Sequence, residues 1–413
     1  MTAASPLINA GAMHSRSCTV CGCTSLDRVF TQATHSIVGI GDIGYQHQIN
    51  VCCNCGFVLA SPLLPEETIL RYYENFSNYE LHHSAGELST DHQAIVSRQV
   101  QLLTRRFETG FKGKALDVGC SIAYALSLLK SQGWDVVGID PSDTCIRLSK
   151  ALYGVDVKKG FISECLLDEV GPVDAIILSH VLEHLVYPDK ALALIRNTLS
   201  DGGVLYIEVP NLMHHVHLPG YFAFEHVNYF TPVTLTNLAQ RAGFEVETLD
   251  QFDNAGFKSS YPAMGATLRK TNKSFNLISD VVAARAVMQD YRLHVPDTLA
   301  RLNDRIHHAL RHTRSGRLAI WGAGIHTSQL LSDTVLAGVP LQCIYDNNNK
   351  KAGQALNGVP IRALPADPED AKAEVDGILI SSLASEDEIF DQLRPLQSHG
   401  IKIYRLYGPQ IGF

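Results

Sequence analysis

The sequence lacks the features that would tie it to a membrane, to secretion or to nucleic acid. No uninterrupted apolar run approaches the roughly 18 residues that span a bilayer. The segment before Arg16 does not join a basic stretch to an apolar core, so no cleaved secretory signal is expected. Its 34 basic and 42 acidic residues give a net charge of −8, which argues against a non-specific nucleic-acid or anionic-membrane surface. We therefore expect a cytoplasmic protein without a membrane or nucleic-acid partner.

Length and composition predict more than one domain. A chain of 413 residues corresponds to two or three domains at roughly 150 residues each, and 46% hydrophobic residues suffice for sizeable cores. The polar segment 269–276 is the best candidate for a linker. We predict a small module over residues 1–75, a central domain over 76–270 and a C-terminal domain over 271–413.

Cysteines are concentrated near the N-terminus and form two pairs of the type Cys-x-x-Cys. Cys18 pairs with Cys21, and Cys52 pairs with Cys55. Two such pairs can place four thiolates about 2.3 Å from one tetrahedral metal ion, and a closed thiolate shell is typical of structural zinc. The alternative is a set of reduced cysteines without a ligand role, since intracellular cysteines seldom form disulfides.

Helices and strands alternate after residue 113, which predicts a mainly parallel sheet covered on both faces. Earlier residues favour short strands before Pro65, then helices from Glu66 and over 91–107. The strands of the predicted central sheet are 115–118, 135–140, 175–179 and 203–209, with helices over 124–132, from 142, and over 189–199. A second series follows a helix over 277–312 that we expect to break near Pro296; its strands are 317–321, 342–345, 377–380 and 402–405.

A glycine turn follows the first strand of the central series. Asp117, Gly119 and Cys120 form this turn, and Asp140 closes the next strand. Glycine lets the backbone approach a ligand, and an acid at the end of the second strand can accept both ribose hydroxyls. A dinucleotide site would favour further glycines near the helix N-terminus, where Ser121 and its neighbours stand instead. A generic turn of an α/β fold is the other alternative.

The same residues resemble the S-adenosylmethionine site of class I methyltransferases. This resemblance implies that Asp117, Gly119 and Cys120 line the methionine side of the cofactor and that Asp140 holds its ribose. The further cofactor-binding residues that we expect are Phe161 beside the adenine, and Ser179 and His180 from the later strand. The segment from Ser179 to His184 (SHVLEH) also resembles the part of that family that faces the substrate.

A third motif combines an acid and a histidine with aromatic neighbours. Glu225 and His226 lie between Tyr221 and Tyr229. An imidazole in an apolar pocket is a suitable general base. Adjacent side chains of a strand point to opposite faces, so Glu225 need not contact His226.

Together the three motifs resemble one family, the three-domain zinc-containing sugar C-methyltransferases that act on nucleotide-linked 4-keto-6-deoxy sugars. Further similarity lies in the C-terminal part, at 321–331 (WGAGIHTSQLL), at 345–349 (YDNNN) and at 358–361 (GVPI). The implied fold class is α/β: a class I, Rossmann-like methyltransferase core with a small N-terminal zinc module and a C-terminal second Rossmann-like domain that helps to bind the nucleotide sugar.

The resemblance assigns roles to individual residues. The family's catalytic Glu-His matches Glu225 and His226, its later histidine matches His184, and its tyrosine after the zinc module matches Tyr79. The implied substrate-binding residues are Tyr221, Tyr229, Gly322, Gly324, His326 and Asp346. Departures from the family pattern are Ala223 in place of a tyrosine, His326 in place of a lysine and Thr327 in place of a glycine. They put the identity of the nucleotide or the sugar in doubt more than the reaction.

The expected activity is methylation of C3 of the sugar through an enolate, with S-adenosylmethionine as cofactor and a structural zinc. We expect His226 to be the base, while His184 and Tyr79 donate hydrogen bonds to the enolate oxygen. Several alternatives stay open: an O- or N-methyltransferase, an NAD-dependent sugar-nucleotide enzyme, and a binding module without catalysis. The nucleotide, whether dTDP, GDP or UDP, also stays open.

Overall fold

Three sheets organise the chain in a computed structural model that describes residues 13–75, 88, 90–214, 221–253, 262–383 and 385–408. The strands are β1 Leu26–Ile37, β2 Gly41–Cys52, β3 Val58–Ala60, β4 Lys114–Val118, β5 Asp135–Asp140, β6 Val157–Lys159, β7 Val173–Ser179, β8 Leu199–Pro210, β9 Asn228–Tyr229, β10 Phe244–Asp253, β11 Pro262–Lys270, β12 Leu318–Trp321, β13 Ile344–Tyr345, β14 Ala355–Leu356, β15 Val359–Arg362, β16 Gly377–Ile380 and β17 Lys402–Arg405. The helices are α1 Glu66–Asn75, α2 Thr90–Thr104, α3 Tyr124–Ser131, α4 Asp143–Tyr153, α5 Glu164–Val170, α6 Pro188–Thr198, α7 Pro232–Arg241, α8 Val281–Arg311, α9 Ile325–Asp333, α10 Pro368–Glu374 and α11 Glu386–Leu393.

The central sheet has seven strands in the order β10-β11-β8-β7-β4-β5-β6. Strands β4 to β8 run parallel, and the hairpin of β10 and β11 joins β8 in antiparallel pairing. The inner strands are apolar and buried on both faces, as helices on both sides of a parallel sheet require. The alternation of helices and strands predicted for this part of the chain is confirmed, and the antiparallel hairpin is an addition that the prediction missed.

The N-terminal sheet is antiparallel and has the strand order β1-β2-β3-β9. Its last strand comes from the middle of the chain: Val58 pairs with Tyr229 and Leu59 with Asn228. Cys18, Cys52 and Cys55 pack in the same apolar core as strands of the central sheet. The N-terminal residues and the central domain are therefore joined by both a shared sheet and a shared core.

Helix α8 is continuous through Pro296, so the expected break is wrong. A proline inside a helix removes one backbone hydrogen bond and costs about 3 kcal/mol. The helix buries a long apolar stripe on both sides of the proline, including Tyr291, Val295 and Leu302, and this packing holds it together. Within the described ranges, no helix joins the length to the apolar character needed to cross a bilayer.

The predicted linker begins too early. Arg269 and Lys270 still belong to β11, and irregular backbone follows from residue 271 to the start of α8. Arg269 is held in the sheet by its guanidinium, which donates to Glu247 Oε1 at 2.9 Å and to the Arg106 carbonyl at 2.8 Å. A polar composition therefore did not mark the end of the strand, because the charged side chains pair along an exposed edge of the domain.

The C-terminal sheet has six strands in the order β14-β15-β13-β12-β16-β17 and is parallel apart from the pairing of β14 with β15. Helix α9 packs on β1 of the N-terminal sheet. The Ser328 hydroxyl donates to the Ser36 carbonyl at 2.6 Å, and Gln329 Nε2 donates to the Ala33 carbonyl at 3.0 Å. The N-terminal sheet thus contacts both α/β parts of the chain.

The turn after the second cysteine pair gives a stability prediction. Gly56 has a φ of +80°, and a Cβ there would lie 2.4 Å from the carbonyl carbon of Asp280 at the start of α8. Gly44 has a φ of +53° with no atom within 4 Å of its added Cβ. Both alanine variants carry backbone strain of about 1–2 kcal/mol, and only Gly56→Ala adds a backbone clash. We expect Gly56→Ala to lower the thermal unfolding midpoint by several degrees more than Gly44→Ala; equal midpoints would contradict the packing described here.

Candidate functional site

A turn with left-handed backbone follows β4. Gly119 has a φ of +72°, and a Cβ added there would lie 2.8 Å from Val181 Cγ2. Ser121 and Ala123 also have positive φ, at 49° and 59°, which is uncommon outside glycine. The resulting loop curls over the carboxyl end of the strand and leads into α3.

Asp140 is fixed at the end of the neighbouring strand β5. Its Oδ2 accepts a hydrogen bond from the Ser121 backbone N–H at 2.8 Å, and its Oδ1 accepts one from Ser142 N–H at 2.9 Å. Each carboxylate oxygen has a second lone pair. Asp140 is thus positioned by backbone donors, as the sequence prediction of a ribose-binding acid requires.

Asp117 and Cys120 are buried beneath the turn. Burial, together with the charge of Asp140, raises the pKa of Asp117 well above its usual range. Burial also raises the pKa of Cys120, so its thiol stays protonated. The Cys120 sulfur lies against Gly138, where an added Cβ would be 2.6 Å away, and it packs in the core with Leu126. The expectation that Cys120 lines the methionine side therefore applies to its backbone, and its side chain faces the core.

Ser179 and His180 lie at the end of β7, and His180 has a φ of +54°. Its Nδ1 is 3.1 Å from Glu183 Oε1 and its Nε2 is 3.5 Å from Glu208 Oε1. Burial alone would lower the pKa of His180, but the hydrogen bonds and charges of the two glutamates raise it to about 10. His180 is thus an imidazolium paired with buried carboxylates, a role that differs from the predicted cofactor contact.

Glu208 is the centre of a polar cluster that the sequence analysis missed. It accepts from Arg98 Nη2 at 2.9 Å, from Gln99 Nε2 at 3.0 Å and from the Tyr206 hydroxyl at 2.6 Å. Burial acts to raise its pKa, but the hydrogen bond and charge of His180 and the charge of Arg98 lower it to about 2. The sequence signal that could have revealed this cluster was Glu208 itself, a single acid within the apolar stretch 203–209. The cluster also fixes Ser179, whose hydroxyl oxygen accepts from Gln99 at 3.0 Å.

The predicted cofactor residues gather at one edge of the central sheet. The turn after β4, Asp140 after β5 and Ser179 after β7 all lie at carboxyl ends, and Phe161 follows β6, where it is half-buried. The chain leaves β4 towards β5 on one side and returns to β7 on the other. A crevice at such a switch point is where open α/β sheets bind ligands.

His184 lies beside His226 in a second group of side chains. The ring centroids of the two histidines are 4.8 Å apart. His184 Nδ1 is 2.9 Å from the Glu225 carbonyl oxygen and 2.6 Å from the Tyr73 hydroxyl. A carbonyl oxygen only accepts hydrogen bonds, so Nδ1 carries a hydrogen. A hydrogen-bond donor at Nε2 of His184 therefore requires the doubly protonated ring.

Burial sets the charge of Glu225 and His226. Burial raises the pKa of Glu225, while a hydrogen bond from Tyr72 and the charges of His184 and Lys351 act in the opposite direction. Burial, with the charge of His184, lowers the pKa of His226 to about 3. His226 is therefore neutral at physiological pH. Its pKa lies well below the value near neutrality that its residue type led us to expect. A neutral imidazole can accept a proton, but this one is a weaker base than a solvated histidine.

Tyr79 lies outside the described residues. Tyr73, on the adjacent helix α1, contacts His184 through its hydroxyl and through an edge-to-face ring contact with centroids 5.3 Å apart. Tyr72, its neighbour on the same helix, is the hydrogen-bond partner of the Glu225 side chain. The sequence analysis missed both tyrosines, because the helical pattern gave no sign of which face would meet the histidines.

Tyr229 holds the backbone of the histidine motif. Its hydroxyl donates to the His226 carbonyl at 2.6 Å and is 3.1 Å from His47 Nε2. Tyr229 is only 4% exposed, and its contact with substrate stays a prediction. Tyr221 is half-buried beside the ring of Phe222, with centroids 5.1 Å apart, and burial raises its pKa.

Arg16 is a further positioning residue that the sequence analysis missed. Its buried guanidinium donates to the carbonyls of Ala60, at 3.0 Å, of Val186, at 2.8 Å, and of Val227. These carbonyls belong to β3, to the segment after His184 and to the histidine motif. One cation thus connects three separate parts of the chain around the site.

Part of the chain matches a known protein family. Residues 91–249, less than half of the chain, match a family described as a methyltransferase domain.

Curated relatives match parts of the chain. The human mitochondrial ubiquinone biosynthesis O-methyltransferase is 26% identical over 156 residues, which cover 33% of this chain and 42% of that protein. The ubiquinone biosynthesis O-methyltransferase of Xylella fastidiosa strain 9a5c is 30% identical over 104 residues, covering 24% of this chain and 42% of that protein. The chain thus spans less than half the length of these relatives.

Solved structures also match. The 1,6-didemethyltoxoflavin-N1-methyltransferase of Burkholderia thailandensis, solved with bound 1,6-didemethyltoxoflavin and S-adenosylhomocysteine, has a TM-score of 0.40 and 17% identity, covering 53% of this chain and 98% of that chain. The magnesium protoporphyrin IX methyltransferase of Synechocystis PCC 6803, solved with bound SAM, has a TM-score of 0.39 and 14% identity, covering 50% of this chain and 98% of that chain.

Outside residues 91–249, a second glycine turn follows β12. Gly322 has a φ of +102°, and Gly324 precedes α9 as its N-cap residue. The Ala323 N–H donates to Asp346 Oδ2 at 2.7 Å, and Lys351 Nζ donates to the same oxygen at 3.2 Å and to the Ala323 carbonyl at 3.1 Å. Asp346 therefore shapes the turn from beneath, and its predicted contact with substrate is not part of this arrangement.

His326 lies on the first turn of α9. Its Nε2 is hydrogen-bonded to the Tyr407 hydroxyl. Burial lowers the pKa of His326 to about 4, so the ring is neutral at physiological pH. His326, which stands where the family pattern has a lysine, therefore supplies no positive charge.

A narrow pocket of about 10 Å³, room for about one water molecule, lies between this turn and the N-terminal sheet. Ser36 of β1, Tyr72 of α1, Gly324 and the buried Lys351 line it. Tyr72 is also the partner of the Glu225 side chain. Tyr72 therefore lies both at the wall of this pocket and beside the Glu225 side chain.

The four cysteines of the two pairs converge. Their sulfurs all lie within 4.8 Å of one another; Cys18 and Cys55 are 3.5 Å apart, and Cys21 and Cys52 are 3.4 Å apart. This donor set and spacing fit one tetrahedral metal ion. Three of the four cysteines are buried, and Cys21 is partly buried, so the cluster is closed to substrate.

Proposed function

We propose that the crevice at the carboxyl ends of β4, β5 and β7 binds S-adenosylmethionine. The left-handed turn at Gly119 brings backbone to the crevice, and Asp140 presents an oriented carboxylate to the two ribose hydroxyls. Phe161 lies at the β6 side, where an adenine would stack. When bound, the cofactor supplies an electrophilic methyl group on a sulfonium, so it needs no further activation by the protein.

Asp140 provides the test of this assignment. Asp140→Asn replaces a carboxylate oxygen by an amide that clashes electrostatically with the Ser121 or Ser142 N–H. Hydrogen bonds to a charged group contribute about 1.5–3 kcal/mol, so we expect a roughly 10- to 100-fold weaker binding of S-adenosylhomocysteine by calorimetry. The exposed Asp156→Asn serves as control and should bind normally. Tight binding of NAD with no binding of S-adenosylhomocysteine would favour a dehydrogenase or epimerase instead.

We further propose that the reaction is C-methylation at C3 of a nucleotide-linked 4-keto-6-deoxy sugar. The observation that carries this proposal is the neutral ring of His226 beside His184, which lies on the segment that follows β7, with the two ring centroids 4.8 Å apart. A sugar nucleotide has two ends to hold. The turn at Gly322 and Gly324, with His326 on α9, would hold the nucleotide part, and the histidines would face the sugar.

Each side chain then has a chemical task. A carbon beside a ketone becomes nucleophilic only after it loses a proton, and the neutral ring of His226 accepts that proton. The electron pair moves to the C4 oxygen, and we assign His184 Nε2 as the atom that hydrogen-bonds the forming enolate. Glu183 Oε1 lies 3.9 Å from this Nε2. Tyr221 and Tyr72 shape the walls that orient the sugar.

His226→Ala tests the base. Loss of a general base costs about 10²–10⁴ in rate, so turnover should fall on that scale while cofactor affinity is unchanged. Exchange of the C3 proton with deuterated solvent, measured with S-adenosylhomocysteine in place of the methyl donor, should also be lost. His312→Ala changes an exposed histidine and should leave both measurements as in the unaltered protein. Undiminished exchange in His226→Ala would exclude this base.

O-methylation is a second candidate, because the curated relatives described above are named as O-methyltransferases. The two reactions differ in what they demand of the pocket: a hydroxyl must lose its own proton, whereas carbon methylation requires removal of a proton from carbon. Transfer of a labelled methyl group to a keto-sugar nucleotide, followed by location of the label on carbon or oxygen, separates them. Label on oxygen with no C3 exchange would establish the alternative.

We also propose that Cys18, Cys21, Cys52 and Cys55 hold a structural zinc. The proximity of four sulfurs and the closed environment support it, and such sites contribute about 10–16 kcal/mol of apparent binding energy to folding. Metal analysis of desalted protein purified without chelator should find about one tightly bound zinc per chain. Cys21→Ser should lose that zinc, while Cys165→Ser, at an exposed cysteine, should retain it. Protein that folds and contains no metal would exclude the assignment.

A further inference from the structure

A second group of metal-ligand side chains lies in the histidine cluster itself. Glu183, His184 and His226 each place one ligand atom within 4.8 Å of the others. Two segments of the chain bring them together, since the Val227 N–H donates to the Glu183 carbonyl at 2.8 Å and the Asn228 N–H donates to it at 3.1 Å. The group is independent of the four cysteines in sequence and in donor chemistry.

Two polar side-chain atoms of this group are buried without a hydrogen bond. Glu183 is 1% exposed and the His184 side chain 10% exposed, and neither Glu183 Oε2 nor His184 Nε2 has a hydrogen-bond partner among the residues that the structure describes. The nearest approach, from His184 Nε2 to Glu183 Oε1, is 3.9 Å and too long for a hydrogen bond. A buried polar atom left in this way costs about 1–3 kcal/mol, which indicates that a third species satisfies both atoms.

The surrounding hydrogen bonds orient both ligands. His184 Nδ1 donates to the Glu225 carbonyl, which leaves Nε2 of the neutral ring with its lone pair on the side of Glu183. Glu183 Oε1 is bound by His180 Nδ1 at 3.1 Å, which fixes the carboxylate. Histidines that bind metals usually donate their other N–H to a carbonyl or a carboxylate, and carboxylates that bind metals are usually hydrogen-bonded themselves. His184 and Glu183 have this arrangement.

We propose that Glu183, His184 and His226 form a site for a first-row divalent cation, such as Zn²⁺ or Co²⁺. Two imidazoles and one carboxylate are a donor set that holds zinc with a fourth position open to a small ligand. The set favours first-row transition metals over Mg²⁺, which prefers oxygen ligands.

Metal binding and proton abstraction exclude each other at this site. This consequence rests on the proposed function. The nitrogen of His226 that faces the cluster holds either a cation or a proton taken from substrate. The cation therefore inhibits the carbon-acid step.

Cobalt provides the direct test. Protein with zinc at the cysteines should bind one further Co²⁺ per chain in a titration followed by calorimetry and visible absorption, with no thiolate-to-cobalt charge-transfer band. Glu183→Gln and His226→Gln should each weaken this binding by more than the 10- to 100-fold that loss of an outer-shell partner costs. Asp140→Asn, which removes a buried carboxylate outside the group, should bind Co²⁺ as the unaltered chain does. Thermal unfolding confirms that each variant is folded.

Four results would contradict these proposals. Absence of a second Co²⁺, or uptake unchanged by Glu183→Gln, would exclude the site. Exchange of the C3 proton should stop with a half-maximal Co²⁺ concentration equal to the dissociation constant; undiminished exchange at saturation would exclude inhibition. Absence of exchange without any metal would reject the proposed carbon methylation, while the binding titration would still decide the metal site.

Discussion

The arrangement of the site depends on hydrogen bonds between two irregular segments, 182–187 and 225–229. Asn228 Nδ2 donates to the carbonyls of Leu182, at 2.8 Å, and Leu185, at 2.7 Å, from a position only 1% exposed to solvent. Arg16 adds its own bonds to carbonyls of both segments. Buried backbone groups are costly to leave unpaired, so these contacts fix one relative position of the two segments. The distance between His184 and His226 follows from that position.

The same segments also join separate sheets. Residues 182–187 follow the carboxyl end of β7, whereas Asn228 and Tyr229 form β9, the last strand of the N-terminal sheet. The cofactor crevice and the histidine motif are therefore adjacent because a strand of one sheet is hydrogen-bonded to a loop of another. The buried carboxylates reinforce the junction: Glu183 and Glu208 hold the His180 imidazolium between them.

The sequence predicted the regular elements well because their signals are local. The strand and turn from Ala115 to Gly119 and the acid at Asp140 are set by apolar alternation, by the need for positive φ and by the end of a strand. Burial and pairing across the fold are not local. His226 was expected to titrate near neutrality, but burial and the charges of His184, His180 and His47, all distant from it in sequence, lower its pKa. The contacts of Tyr229 with His47 and of Asp346 with Ala323 also join residues far apart in sequence, so no local pattern could predict them.

Pro296 shows that a local signal can also predict a feature that the fold overrides. The residue type predicted a break in α8, yet the packing of Tyr291 and Val295 against the N-terminal sheet and its surroundings outweighs the local cost. Intrinsic preference is a weak guide wherever a helix buries a continuous apolar stripe.

The docking of α9 on β1 has a consequence for the integrity of the molecule in a crowded solution. Strand β1 is an edge of the N-terminal sheet, 12 residues long. Edge strands of that length present unpaired carbonyls and N–H groups that can template the strand of another molecule. Ser328 and Gln329 occupy the carbonyls of Ser36 and Ala33 with side-chain donors. The C-terminal part of the chain thereby shields this edge against strand-to-strand association. This protection is separate from any part that the C-terminal sheet has in binding a ligand.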